Sequence, residues 1–171
     1  MTQDVGYSAN ASFWVKIMRE QLDRYRNELT DPAVLSALGH ADRLRILGAT
    51  FADIARVLKP GGRLVILCLH PCFYWARRGL DETDPNWPDE YFEVQPRLQS
   101  FNVAGIESPS QVKAWYRPLE DYGAALARTG FLIANLQEPH PTVEQRQDPW
   151  WAAGWSKPMF LLITAVRSPT A

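Results

Sequence analysis

Phe13, Trp14, Ile17, Met18, Leu22, Tyr25 and Leu29 recur three and four positions apart, the spacing of one helical face, and Ser12 precedes them as a capping side chain. A second start signal follows in TDPAVLSALG, with Thr30 or Asp31 as cap, Pro32 in the first turn and Gly39 as stop. The N-terminal part therefore reads as helical. Residues 41–58 read in two ways. Leu44, Leu47, Phe51, Ile54 and Leu58 fit one amphipathic helix with Gly48 weakening its middle, and periodicity favours this reading. The other reading makes Leu44–Leu47 a short strand, followed by a turn and a helix capped by Thr50.

Lys59-Pro60-Gly61-Gly62 ends that helix, and RLVILCLH follows as an apolar run of the kind found in a central strand buried on both faces. Residues 71–115 are rich in proline, aromatics and charge, with weak strand signals at YFEVQPRLQSF and QVKAWY, so they read as an elaborated loop or small hairpin. Pro118 opens a helix over LEDYGAALARTG, Gly130 closes it, and FLIANLQ and PMFLLITAVR read as strands. A long loop rather than a crossover helix joins these last two strands, which predicts an antiparallel pair. The order implies a layered α/β architecture in one domain. Its parts are N-terminal helices over 1–40, a helix and central strand over 41–70, an aromatic-rich insertion over 71–115, and a helix with the C-terminal strands over 116–171.

A length of 171 residues suits one domain with a sizeable core, and 46% hydrophobic against 22% charged residues is ordinary globular usage. A formal net charge of -1 without a long basic run argues against a nucleic-acid or membrane-surface partner. The longest apolar run, Leu64–Leu69, is too short to span a bilayer, and the first ten residues lack the pattern of a secretory signal, so cytoplasm is the expected compartment. Cys68 and Cys72 flank His70 in CLHPC, a poor disulfide candidate; His40 and His140 lack zinc-ligand spacing, so no metal is expected.

His70 sits just past the strand at residues 63–69, at the strand end where open α/β sheets place ligands. There it is a candidate general base, against the plainer reading of a hydrogen-bonded structural histidine beside Pro71. Phe73, Tyr74, Trp75, Trp87, Tyr91, Phe92 and Trp115 crowd the insertion and can either line a pocket for a planar or apolar molecule or anchor the insertion by packing. Trp150, Trp151 and Trp155 read as packing anchors. Asp121 and Glu138 are candidate catalytic carboxylates, against the favoured readings of helix-start charge for Asp121 and loop solvation for Glu138.

FADIARVLKPGGRLVILCLHP, residues 51–71, resembles the fourth helix and fifth strand of class I S-adenosylmethionine-dependent methyltransferases, the type 11 group in particular. WYRPLEDYGAALARTGFLIANLQEPHP, residues 115–141, resembles that family's R-P-L-x-D-Y helix, its following turn and the E-P-x-P loop after the sixth strand. PMFLLITAVR resembles the seventh, antiparallel strand, and QLDRYRNELTDPAVLSALG the helices before the first strand. The resemblance implies a Rossmann-like sheet, S-adenosylmethionine as cofactor and a small-molecule methyl acceptor. Tyr116 and Arg117 stand where related sequences often carry a His-Arg pair, from which Tyr116 departs. Arg117 is a candidate for holding an anionic substrate group, against the plainer reading of a surface or helix-entry salt bridge, and Phe73, Tyr74, Trp75, Tyr91 and Tyr116 complete the candidate substrate-binding set.

The chain departs from that pattern after LRIL, residues 44–47. No G-x-G loop follows, no second strand carries an acidic residue for the ribose, and the third and fourth strands cannot be fitted before Phe51. The expected fold is thus a shortened methyltransferase sheet of three or four main strands with an antiparallel C-terminal pair. Two functions are consistent with it: methyl transfer to a small molecule, with the cofactor loop missing, or a non-catalytic interaction protein that forms a homodimer through the edge exposed beside the strand at 63–69.

Overall fold

The computed structural model of the chain describes residues 10–38, 51–74, 91–92, 95–153 and 155–169. Helix α1 (Ala11–Arg19) buries Phe13 and Ile17. It does not extend to Leu29 as the apolar spacing predicts, because Gln21 adopts φ 52 and breaks the helix. A π-helical turn, Tyr25–Thr30, leads directly into α2 (Asp31–Leu38). The cap position of α1 belongs to Asn10 rather than Ser12. Its side chain is drawn away by a long-range pairing: Asn10 Nδ2 donates to the Ser110 carbonyl at 2.9 Å and Oδ1 accepts the Ser110 N–H at 3.0 Å.

Helix α3 (Phe51–Val57) precedes strand β1 (Arg63–Leu69). Gly61 stands at φ +77, and a side chain at position 62 would meet the Lys59 carbonyl at 2.8 Å, so this turn needs both glycines. The insertion forms two separate ladders, β2 (Gln95–Gln99) with β5 (Val112–Tyr116), and the small hairpin of β3 (Asn102–Val103) with β4 (Ile106–Glu107). Helix α4 (Leu119–Arg128), strand β6 (Phe131–Gln137), a short helix α5 (Pro149–Ala152) and strand β7 (Phe160–Arg167) complete the chain. The alternative readings of residues 44–47, and Thr50, Gly39 and His40, lie outside the described residues.

The main sheet has the order β1-β7-β6, and β7 is antiparallel to both neighbours. The expected antiparallel C-terminal pair is present. Among the described residues β7 rather than the expected β1 holds the centre, and β1 is not buried throughout: only Leu64 is buried while Val65 to Leu69 are half-buried. An apolar run at a sheet edge, covered partly by helices, carries the same sequence signature as one enclosed by two strands. In β7 every residue from Leu161 to Ala165 is buried. One face of the sheet, with Leu64, Leu161, Ile163, Ala165 and Phe131, packs on Ile54 of α3 and Leu126 of α4.

The N-terminal helices are fastened to the loop before β7 through Trp151, which is fully buried. Its indole N–H donates to Glu28 Oε2 at 2.8 Å, and Arg24 holds the Glu28 carboxylate through Nε at 2.6 Å and Nη2 at 2.9 Å. Arg24 Nη2 also donates to Asp148 at 2.6 Å, and its guanidinium lies 4.7 Å from the Trp150 ring centre. Tyr25 completes the cluster, with ring centres 4.8 Å from Trp150 and 5.6 Å from Trp151. The tryptophans thus serve as packing anchors.

Hydrogen bonds from Arg24 hold the carboxyls of both Glu28 and Asp148 below the ordinary carboxylate range. The unfolded chain therefore binds protons at a higher pH than the folded one. The stabilisation is complete above the ordinary range of about 4 and is lost as pH falls through the lowered folded values. In thermal melts, Arg24→Gln lowers the midpoint at pH 7. The gap to the parent protein narrows below pH about 4 to the part that comes from lost stacking on Trp150. A gap that stays constant down to pH about 3 would show that the carboxylates do not carry it.

Candidate functional site

Because β1 and β6 are both antiparallel to β7, they run the same way, and their carboxyl ends lie at one edge of the sheet. His70 follows β1 and Glu138 follows β6, and the two meet with Nε2 3.0 Å from Glu138 Oε1. His70 Nδ1 accepts the Cys72 N–H at 3.2 Å, so in the neutral ring the proton sits on Nε2 and is donated to Glu138. The His70 N–H bonds to the Met159 carbonyl at 2.8 Å, and the Phe73 ring lies 4.9 Å away. The residue is 3% exposed. Both ring nitrogens are thus committed, and to act as a general base His70 would first have to release Cys72 or Glu138. As built, it ties the end of β1 to the end of β6.

Beside this clamp, on the face covered by α3 and α4, lies a cleft of two adjoining lobes. The larger, ≈ 330 Å³, is lined by Phe51, Trp115, Arg117, Asp121, Tyr122 and Arg128, among others. The smaller, ≈ 130 Å³, shares Trp115, Arg117 and Tyr122 and reaches Cys68, Leu69 and Pro71 at the carboxyl end of β1. Tyr122 and Cys68 line the smaller lobe together, and the Cys68 thiol lies 3.8 Å from the Leu161 carbonyl. Burial pushes the Tyr122 phenol up to about 12 and the Cys68 thiol up to about 11, so both keep their protons at neutral pH. Arg117 approaches Asp121 only at 3.9 Å, and Lys113 Nζ stands 4.7 Å from the centre of the Trp115 ring.

The residues singled out from sequence separate into groups. Tyr116 and Arg117 line the cleft. The Tyr116 hydroxyl donates to Gln99 Oε1 at 2.8 Å, and its ring stacks on Tyr74 at 6.4 Å. Phe73 packs on His70. Tyr91 accepts the Leu119 N–H at 2.9 Å and lies 3.3 Å from Cys72 Sγ, so it fastens the insertion to the start of α4. Trp75 and Trp87 lie outside the described residues. Tyr122, Cys68, Phe51 and Arg128 were not singled out as site residues. Part of the signal was available, since Asp121, Ala125 and Arg128 are spaced four and three apart along one side of α4, with Arg117 just before its start.

Among the described residues no glycine-rich loop of the kind that would hold S-adenosylmethionine is present. Among the described residues the glycines with positive φ are Gly61, Gly105 and Gly130, each in a turn between local elements. The sequence contains no G-x-G. Among the described residues no group of three or more His, Cys, Asp or Glu side chains is arranged to hold a metal ion, and no helix is long and apolar enough to cross a membrane.

A crystal structure of a "putative S-adenosylmethionine dependent methyltransferase" from Listeria monocytogenes matches 69% of this chain and 53% of its own length, at 28% identity and a TM-score of 0.53. A second, of an S-adenosylmethionine dependent methyltransferase from Mesorhizobium loti, matches 68% of this chain and 53% of its own, at 30% identity and a TM-score of 0.48. The chain's structural neighbours are S-adenosylmethionine-dependent methyltransferases. It spans about half the length of either one. No protein-family model and no curated relative matches it. The methyltransferase-like character thus rests on shared structure together with sequence identity.

The two thiols differ in access, since Cys72 is exposed and Cys68 is largely enclosed. Titration with Ellman's reagent at pH 8 is expected to show one fast thiol in the folded protein and a second only after denaturation. Cys72→Ser removes the fast phase; fast reaction of Cys68 in that variant would show that the cleft floor is open.

Proposed function

We propose that the protein is a methyltransferase-family small-molecule-binding protein, with the cleft beside the carboxyl end of β1 serving as the site for a methyl acceptor. The observation that carries this reading is the two-lobed cleft, which runs from Arg117 and Trp115 to Leu69 and Pro71 in a methyltransferase-like chain. Ligand sites in open α/β sheets lie at the carboxyl ends of strands. On this reading Trp115 and Tyr116 supply aromatic surface, Arg117 a charged donor, and Tyr122 a phenol that remains protonated. The His70–Glu138 clamp fixes the strand ends that form the inner wall.

Methyl transfer requires a donor placed in line with the acceptor, and positioning supplies much of the rate. The described residues hold no such donor cradle, so the activity of S-adenosylmethionine-dependent transfer is not assigned to them alone. The test is calorimetric titration of the full chain with S-adenosylmethionine and S-adenosylhomocysteine. The expected outcome is no binding tighter than about 1 mM. Micromolar affinity would overturn the claim that the chain lacks a cofactor grip.

One observation favours a second reading, that of a non-catalytic interaction protein. Strand β6 pairs with β7 alone among the described residues, and Leu132, Ile133 and Leu136 on it are 63%, 45% and 49% exposed. FLIANLQ carries neither charge nor proline to guard that edge. Among the described residues β1, the edge anticipated for pairing, and β6 both lie at sheet edges, and β6 adds the exposed apolar side chains. Sedimentation velocity separates the readings: a concentration-dependent dimer dispersed by Ile133→Lys supports the interaction protein, and a monomer at every concentration removes it.

A further inference from the structure

With the cleft read as an acceptor site, its chemical bias narrows the ligand, and the ligand class inferred from that bias rests on this reading. The larger lobe sets two arginines, Arg117 and Arg128, against a single carboxylate, Asp121. Arg117 stands next to the aromatic wall, where both lobes meet. Its contact with Asp121 is at the outer limit of an ion pair, 3.9 Å between one Nη and one Oδ, and both side chains are half exposed. Such a pair is worth little in water and leaves the planar fork of the guanidinium able to take a bidentate anion. Trp115 is 52% exposed and Lys113 stands over its ring. Phe51 lines the larger lobe with it. Positive charge thus flanks aromatic surface in a space of ≈ 330 Å³, at the lower end of the range for small-molecule sites of about 300–1,000 Å³.

We infer that the cleft takes a small aromatic acid, its ring against Trp115 and its carboxylate on Arg117. Arg128 lies at the far end of the ten-residue helix α4 and acts on the ligand as a charge at the rim rather than as a second contact. Tyr122, with its proton retained, presents a neutral hydroxyl where an ionised one would repel the acid. The smaller lobe, toward Leu69 and Pro71, accommodates a substituent on the ring.

Three matched probes test this by fluorine NMR on the full chain with no S-adenosylmethionine present: para-fluorophenylacetate, para-fluorophenylacetamide and para-fluorophenethylamine. The acid is expected to bind best and the amine worst, with at least about tenfold between them, in line with the strength of a charge-assisted pair. Arg117→Gln should weaken the acid by about tenfold and leave the amide little changed. Trp115→Ala should weaken both. Arg117 and Trp115 are half exposed, and circular dichroism verifies that the variants fold. Equal binding of the three probes, no binding of the acid at millimolar concentration, or an unchanged affinity in Arg117→Gln would each overturn the inference. Since no cofactor is present, failure here leaves the methyltransferase reading standing, and the cofactor titration can fail without touching this one.

Discussion

Strand β7 is the constraint on which the other elements depend. β1 and β6 do not pair with each other; each finds its ladder partners on β7, from Arg63–Val166 to Leu69–Phe160 on one side and from Phe131–Arg167 to Gln137–Leu162 on the other. The contacts extend past the ladder at both ends. Gly61 N–H bonds to the Arg167 carbonyl at 2.9 Å and Arg167 N–H to the Gly62 carbonyl at 2.9 Å, while at the opposite end His70 N–H reaches Met159. The Arg167 side chain also hydrogen-bonds to the Leu58 carbonyl, so the last carbonyl region before the glycine turn is held by the same strand. A strand with both edges paired and five consecutive buried residues serves as the common reference for two strands whose ends are joined by the His70–Glu138 pair. Unpaired backbone groups at that depth would cost about 1–3 kcal/mol each, which makes the register hard to shift.

Local chemistry made most of these elements readable. The K-P-G-G turn, Pro118 before α4 and Gly130 after it all act within a few residues, and the structure puts element boundaries at those points. Reading failed where distant residues decide. Asn10 is diverted from capping α1 by Ser110, and the continuous apolar spacing through Leu29 gives no warning of the break at Gln21. The position of β1 in its sheet was likewise illegible, because an apolar run records only that it is covered, not by what. At the site, the placement of His70 at a strand end could be read, but its partner Glu138 lies 68 residues away in a loop that composition alone assigns to solvent.

Polar and aromatic side chains gather where β1 ends and α4 begins, supplied by β5, α3 and α4. Among the described residues Gly61, Gly62, Gly105 and Gly130 serve turns, as the close contact of position 62 with the Lys59 carbonyl shows. The likeness to the Listeria monocytogenes structure spans about half of that chain's length, and a shared fold does not by itself carry a shared activity.

The clamp and the cleft are not independent. Pro71 lines the smaller lobe and lies between His70, whose ring bonds to Glu138, and Cys72, whose N–H bonds back to that ring. Cys72 Sγ is in turn 3.3 Å from the Tyr91 hydroxyl, which accepts the first amide of α4, the helix that carries Asp121, Tyr122 and Arg128 into the larger lobe. A continuous path of hydrogen bonds therefore runs from the end of β6, through the end of β1, to the start of α4. Each link fixes one wall of the cleft against another, so the side chains that line it are held by the joined strand ends as well as by the core beneath them. With Nε2 on Glu138 and Nδ1 on the Cys72 N–H, the buried His70 ring braces both strand ends at once.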